Sequence, residues 1–235
     1  MKLKEMEAQE KQRIKRNLEY TEKGVTIVDP RNTYIDEGVK IGSGTVIYPT
    51  AVLEGSVRIG ENCIIGPGCH IVDSTIGNST SVRNSVILES KVGRNTTVGP
   101  FAYLRPNSAI GDGCKVGDFV EVKNSSMGDG AKASHLTYIG DSDVGKNVNL
   151  GCGVVFVNYD GSRKYRSVVE DDAFIGCNSN LISPVHIGAG AYVAAGSTIT
   201  EDVPGGALYV ARSRGKTLRD WVEKSGIFKK NSREK

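Results

Sequence analysis

The chain has 235 residues, 38% of them hydrophobic and 24% charged, with a formal net charge of +3 at pH 7. That apolar share suits a soluble folded protein, and the charge is too small, with basic residues interspersed among acids, to argue for nucleic acid as a partner. No stretch approaches the ~20 apolar residues of a membrane span, and the charged start MKLKEMEAQEKQRIKRN has no apolar segment behind it that would make a signal peptide. Five cysteines without a CxxC pair predict reduced thiols in a cytoplasmic protein.

The first element, from about Lys2 to Tyr20, lacks Gly and Pro and is rich in Lys, Glu, Arg and Gln. It reads as a solvated helix whose apolar positions, Leu3, Met6, Ile14 and Leu18, are too sparse for a strong coiled coil. Residues 1–24 are set apart on that ground.

From residue 25 a different pattern takes over. Aliphatic residues recur every six positions: Ile35, Ile41, Ile47, Leu53, Ile59, Ile65 and Ile71, later Val92, Val98, Leu104, Ile110, Val116 and Val122, then Val169, Ile175, Leu181, Ile187, Val193 and Ile199. Neither a helix nor an ordinary strand has that period. Six residues make one flat side of a coil, a short strand and a corner, and three sides bring the chain back above itself. The ladder residue points inward with a small residue four later, as at Thr45, Cys63, Cys69 and Cys114; a Gly or short polar residue usually follows the ladder position, where a corner needs backbone freedom. Contractions by one residue, such as Ile71 to Ile76 and Val122 to Met127, give coils of 17 instead of 18. About ten coils result over 25–204, an all-β parallel β-helix with a continuous aliphatic core. A sandwich of short strands would show irregular turn spacing instead.

Beyond Val203-Pro204-Gly205-Gly206 the tail, 205–235, leaves the repeat, and LRDWVEK predicts a short helix with the single Trp.

The ladder has one large interruption, Val157 to Val168, and repeat proteins place function on such loops. Ladder residues Leu104, Val122, Ile139 and Phe156 must stack, so their outward neighbours stack as well. Arg105 then lies one coil from Lys123, and Glu121 under Tyr138; on the adjoining side His135 falls between Asp118 and Cys152. A lone cation on such a face is merely solvated, but two repeated at coil spacing suit a bound anion such as phosphate. A histidine in the same coils is a candidate base, since imidazole titrates near neutrality. His70 and His186 each precede a ladder residue far from this cluster and read as surface residues; three histidines so far apart make no zinc site.

The strings GPFAYLRPNS, VGDFVEVKNSSMGDGAKASHLTYIGDSDVGKNVNLGCG, VNYDG, IGCNSNLISPVHIG and AAGSTITEDVPGGAL resemble the acetyltransferase domain of the bacterial bifunctional glucosamine-1-phosphate acetyltransferase/N-acetylglucosamine-1-phosphate uridyltransferase family. The likeness covers Gly99 to Arg212 closely and extends more weakly to the N-terminal helix, which is similar to the linker between that family's two domains. It implies a left-handed coil, a homotrimer and active sites in the clefts between subunits. It further implies acetyl-CoA as co-substrate, glucosamine 1-phosphate as acceptor and no metal. By motif, Arg105, Lys123, Tyr138 and Asn149 would bind the sugar phosphate, and Lys164 in the extruded loop would add a phosphate contact. His135 would be the catalytic base with Glu121 orienting or polarising it. Cys152, Asn158, Tyr159, Cys177, Ala195 and Arg212 would line the acetyl-CoA site. The implied reaction is direct transfer of the acetyl group to the C2 amine, supplying an amino-sugar precursor for cell-wall and envelope polymers. A covalent acetyl-cysteine at Cys152 or Cys177 is the rival route.

The family's nucleotide-binding domain with its Gly-rich loop has no counterpart in this sequence, so nucleotidyl transfer is not expected. Two other readings stay open: an acetyltransferase for another amino sugar or sugar nucleotide, and a non-catalytic trimeric scaffold that binds sugar phosphates.

Overall fold

The computed structural model describes residues 3–227. Met1, Lys2 and residues 228–235 of the tail lie outside the described residues. Between two short helical ends runs a parallel β-solenoid with three faces, built of 11, 10 and 9 short strands stacked in chain order.

The ladder is the core. Ile35 pairs with Leu53, Leu53 with Ile71, Leu104 with Val122 and Val122 with Ile139, each directly above the last. Every ladder residue named above is buried except Ile41, which is half-buried. The small inward positions Thr45, Cys63, Cys69 and Cys114 are buried too. Coil length varies more than the single contractions imply: Ile71 pairs with Ile87, sixteen residues on, because two contractions fall within one turn there.

The glycine after a ladder residue has a different reason from corner freedom. A Cβ on Gly60 would fall inside contact distance of Asn78, and one on Gly117 inside that of the Ser134 carbonyl oxygen, so these glycines let the next coil close down. Left-handed backbone occurs two to three residues later and is often taken by Asn or Gly, as at Asn62, Asn95, Gly113 and Asn178, though Ser79, Phe101 and Asp172 also adopt it.

The N-terminal helix, α1 (Leu3–Glu22), is not wholly solvated. Its second half lies across the first coil, burying Asn17 and Tyr20. The first coil has no neighbour below to donate to its carbonyls, and an exposed edge invites pairing with other chains. Side chains of α1 fill that role. Asn17 Nδ2 donates to Pro30 O and Thr33 O at 2.9 Å each, Arg13 to Thr33 O at 2.7 Å, Arg16 to Ile35 O at 3.1 Å and the Tyr20 hydroxyl to Val39 O at 2.8 Å.

At the other end the stack runs past Pro204, since Leu208–Tyr209 pairs with Tyr192–Val193 as a last rung. A short helix, α2 (Trp221–Ser225), follows, with Trp221, Val222 and Leu218 exposed.

Ile110→Asp should cost ~4 kcal/mol or more, because the carboxylate would enter a core position that is 4% exposed and has no partner for it. A large drop in melting temperature checks this, and an unchanged melt would contradict the inward register.

Candidate active site

The extruded loop leaves the second face after Val155–Val157 and rejoins the third at Ser167–Val169. It is a folded hairpin: Tyr159 and Lys164 form an antiparallel bridge, and the Asp160 carboxylate accepts from the backbone N–H groups of Ser162 and Arg163 at 2.7 and 2.6 Å. Arg166 ties its foot to earlier coils, donating to Asn124 O at 3.0 Å and Ser142 O at 3.2 Å and pairing with the Asp143 carboxylate. The loop is thereby folded back over the lower coils.

That fold-back completes a cleft of about 430 Å³ lined by Arg105, Lys123, Lys164, Asn124, Asp141 and Pro106–Asn107. Three cations thus converge. Arg105 and Lys123 stand in one column, the first donating its backbone N–H to Val122 O at 2.8 Å, as the coil spacing requires. Lys164 lies beside Lys123, and that proximity lowers the Lys164 pKa. Two amines so close to each other and to a guanidinium favour an anion between them.

Asp141, which the motif reading did not single out, organises the floor. It is buried, accepts hydrogen bonds from Asn124 and Asn158, and pairs with Lys123 Nζ at 3.3 Å. Burial pushes its carboxyl up, but those three donors outweigh the desolvation and hold it below the ordinary aspartate value. Asn158 therefore reaches this cleft through Asp141. Its place in sequence carried a signal: Asp141 stands one coil above Asn124 at a corner with positive φ, where polar side chains fold back on the backbone.

Tyr138 lies in register above Glu121. Its ring crosses Gly140, where a side chain would meet the ring, and this lays the hydroxyl towards the Lys123 column, because Lys123 and Gly140 are register partners.

His135 closes the strand Lys132–His135, at the corner between the first and second faces. Its Nδ1 is 2.6 Å from Asp118 Oδ1, its register partner one coil below. The hydrogen bond from His135 lowers the Asp118 pKa. Glu121, which the resemblance places on the histidine, instead pairs with Arg105 at 2.9 Å. Asp118 follows the ladder on the same face as His135, whereas Glu121 lies on the adjoining face beneath Tyr138. His70 and His186 also meet carboxylates, Glu54 at 2.6 Å and Glu170 at 2.9 Å, but through Nε2. His135 alone of the three is held by Nδ1, which leaves Nε2, the outer nitrogen, for a proton.

The residues assigned by resemblance to acetyl-CoA continue upward from His135. Ala133 pairs with Leu150 and Leu150 with Ile175, which stacks Cys152 on His135 and Cys177 on Cys152. Ala195 follows, its neighbour Gly196 donating to Cys177 O at 2.8 Å, and Arg212 reaches Ala195 O at 2.6 Å. These four residues are exposed. Tyr159 is apart from them on the hairpin, its hydroxyl donating to Gly161 O at 2.6 Å. Asn149 lies on the first face, paired with Lys132 and Phe174, and is not brought to the cation cleft of its own chain. At the corner beside His135, Phe101 and Phe119 stack with ring centroids 5.6 Å apart, Leu136 comes next, and all three are exposed with positive φ.

The family model for bacterial transferase hexapeptide repeats matches residues 38–73, 89–124 and 166–201. Over those stretches the chain carries the hexapeptide repeat of that family. It is 56% identical over 217 residues to the "Bifunctional protein GlmU" of Clostridioides difficile, covering 92% of this chain and 47% of that protein. The protein of the same name from Alkaliphilus oremlandii is 59% identical over 207 residues, 88% of this chain and 46% of that one. The hexapeptide chain thus spans about half the length of the curated relatives it matches, and the recognition read from its motifs holds. Among solved structures, the Arabidopsis UDP-N-acetylglucosamine acyltransferase superposes with a TM-score of 0.58 at 18% identity, over 83% of this chain and 76% of that one, a likeness of fold.

The Arg166 foot should be pH-dependent. The hydrogen bond from Arg166 holds the Asp143 carboxyl below its ordinary value of 3.8. Its folded pKa is depressed, so the pair's contribution is complete above the unfolded value and fades as pH falls through the folded one. Loop proteolysis should therefore be flat from neutrality to about pH 4 and rise below it; Asp143→Asn should cleave faster at every pH in that range.

Proposed function

We propose that the chain is an acetyl-CoA-dependent N-acetyltransferase that converts glucosamine 1-phosphate to N-acetylglucosamine 1-phosphate. The observation that carries the reading is the Asp118–His135 pair, with Nε2 free, standing one corner from a three-cation cleft. The similarity to the bifunctional relatives supports it.

In this reading the phosphate takes the cleft, held by Arg105, Lys123 and Lys164, with the Tyr138 hydroxyl on the sugar. Tyr138 and Gly140 bound the strand between the cleft and the His135 corner, about 7 Å of backbone, room for one pyranose ring. The C2 amine then faces His135. As the amine attacks the thioester carbonyl of acetyl-CoA, His135 Nε2 takes its proton; the tetrahedral intermediate collapses, the C–S bond breaks and coenzyme A leaves with a proton. Asp118 fixes the ring and stabilises the imidazolium. Backbone N–H groups at the corner stabilise the oxyanion, and the cations turn a two-substrate encounter into an oriented one. Transfer is direct; the exposed Cys152 and Cys177 line the coenzyme groove without accepting the acetyl group. Acetyl-CoA follows the column from His135 to Arg212.

The active unit in this proposal is a homotrimer of left-handed coils in the cytoplasm. Asn149 supports it: a residue on the first face can reach a sugar in the second-face cleft only if a neighbouring copy presents it. The exposed Phe101, Phe119 and Leu136 ledge offers such a copy an apolar seat beside His135.

Release of coenzyme A thiol from acetyl-CoA should require glucosamine 1-phosphate, and glucosamine without the phosphate should serve poorly. Arg105→Ala should raise the acceptor KM by roughly 10- to 100-fold, the worth of a charge-assisted hydrogen bond. His135→Ala should lower kcat by about 10²- to 10⁴-fold. A folded protein that releases no thiol with any amino sugar would leave the binding scaffold as the better reading.

Gly140→Ala addresses Tyr138 by itself. The added methyl should swing the ring off the cation column and raise the acceptor KM about tenfold, with the acetyl-CoA KM unchanged. An unchanged acceptor KM would remove Tyr138 from the sugar site.

A further inference from the structure

The five cysteines fall into two groups. Cys63, Cys69 and Cys114 are buried in the prism, where burial pushes their thiols up and makes them inert. Cys152 and Cys177 are exposed. Packing accounts for the first group and says nothing about the second.

The exposed pair occupies one corner position on consecutive coils. Leu150 and Ile175 are register partners, Gly151 N–H donates to Ile175 O at 2.8 Å, and Asn178 N–H donates to Cys152 O at 2.8 Å. The backbones are close: a Cβ on Gly151 would lie 2.6 Å from Cys177 N and 2.9 Å from Cys177 Cα. Coils stacked by strand pairing are about 4.8 Å apart, inside the roughly 4.4–6.8 Å Cα range that a disulfide spans. The 25-residue separation in sequence hides this, because the hairpin at Val157–Val168 lies between the two coils.

Two neighbours of the pair give it chemistry. His135 stands directly below Cys152, with Nε2 available to take a thiol proton, and the thiolate is the form that reacts. Ala195 above Cys177 brings only a methyl group.

We propose that Cys152 and Cys177 are an oxidisable dithiol that a hydroperoxide closes to a disulfide, shutting the acetyl-CoA groove until a thiol reductant reopens it. The Cys152 thiolate attacks the peroxide oxygen, breaking the O–O bond; the sulfur becomes a sulfenic acid and the alkoxide or hydroxide leaves with the proton lost from Cys152. Cys177 then attacks that sulfur, the S–S bond forms and water departs, so two thiols are oxidised as one peroxide is reduced. Closure draws both sulfurs together over the corner next to His135. By linkage, a ligand that fits only the open pair protects it from oxidation to the degree that oxidation excludes the ligand. The effect on the groove rests on the acetyl-CoA reading above; closure of the pair does not.

The experiment oxidises the reduced full chain with hydrogen peroxide, with and without acetyl-CoA, and follows intact mass, alkylation and coenzyme affinity. The expected result is loss of two hydrogen masses per chain, a linked peptide pair containing Cys152 and Cys177, acetyl-CoA affinity weakened about tenfold or more, and full recovery with dithiothreitol. Acetyl-CoA present beforehand should slow closure. In Cys177→Ser the reaction should stop at a sulfenic acid on Cys152, trapped by dimedone. Both thiols still open to alkylation after peroxide treatment, or a link between chains in place of one within them, would overturn the proposal. A closed pair that binds acetyl-CoA as before would overturn the gating, while acetyl transfer by the reduced chain tests the functional reading separately.

Discussion

Coil-on-coil hydrogen bonding in strict register is the constraint on which the rest of the molecule depends. Each short strand donates to the coil next to it, so any residue at a given place in one coil sits about 4.8 Å from its counterpart in the next. Inward positions become a continuous aliphatic column, where a charge has no partner, and outward positions become columns of exposed side chains. The same constraint leaves the first coil with unanswered carbonyls, and α1 exists in its docked form to answer them with Asn17, Arg13, Arg16 and Tyr20. Glycine after the ladder residue serves the stack as well, through the close approach of the next coil.

Chemistry arises where the columns carry unlike groups. Asp118, His135, Cys152 and Cys177 make one column and Arg105, Lys123 and Gly140 another, with the bare Gly140 leaving space for the Tyr138 ring. A regular stack would present two cations to solvent. The hairpin alters that by bringing Lys164 back over them, and its own position depends on Arg166 gripping Asp143 and the backbone of two earlier coils. Asp141 keeps the cation cluster from being unsupported: one buried carboxylate, held below the ordinary aspartate value by three donors, pairs with Lys123 from the next coil.

Much of this was legible from residues. The six-residue period specified the ladder, the inward cysteines and the column relations of Arg105 with Lys123 and of Glu121 with Tyr138, because a repeat turns spacing directly into position. What escaped was whatever depended on side-chain direction. The partner of His135 is Asp118 and not Glu121, a choice between carboxylates on adjoining faces that spacing leaves open. Asp141 and Arg166 were overlooked because each acts across coils from an irregular stretch. The docking of α1 escaped for the same reason: its buried residues, Asn17 and Tyr20, are not an apolar stripe but hydrogen-bonding groups aimed at backbone.

The sequence by itself determined the solenoid and its core, since a period of six with aliphatic residues at every repeat admits one kind of stack, while the family resemblance rests on the motif strings and not on the period. Only the tertiary structure decided how the hairpin folds back to add Lys164, which ring nitrogen of His135 is occupied, and that Asn149 belongs to a different face from the cation cleft. The physical reason is that repeat spacing propagates along the stack axis alone. Positions around the axis, and the reach of side chains across corners, are set by packing and hydrogen bonds that no linear period encodes.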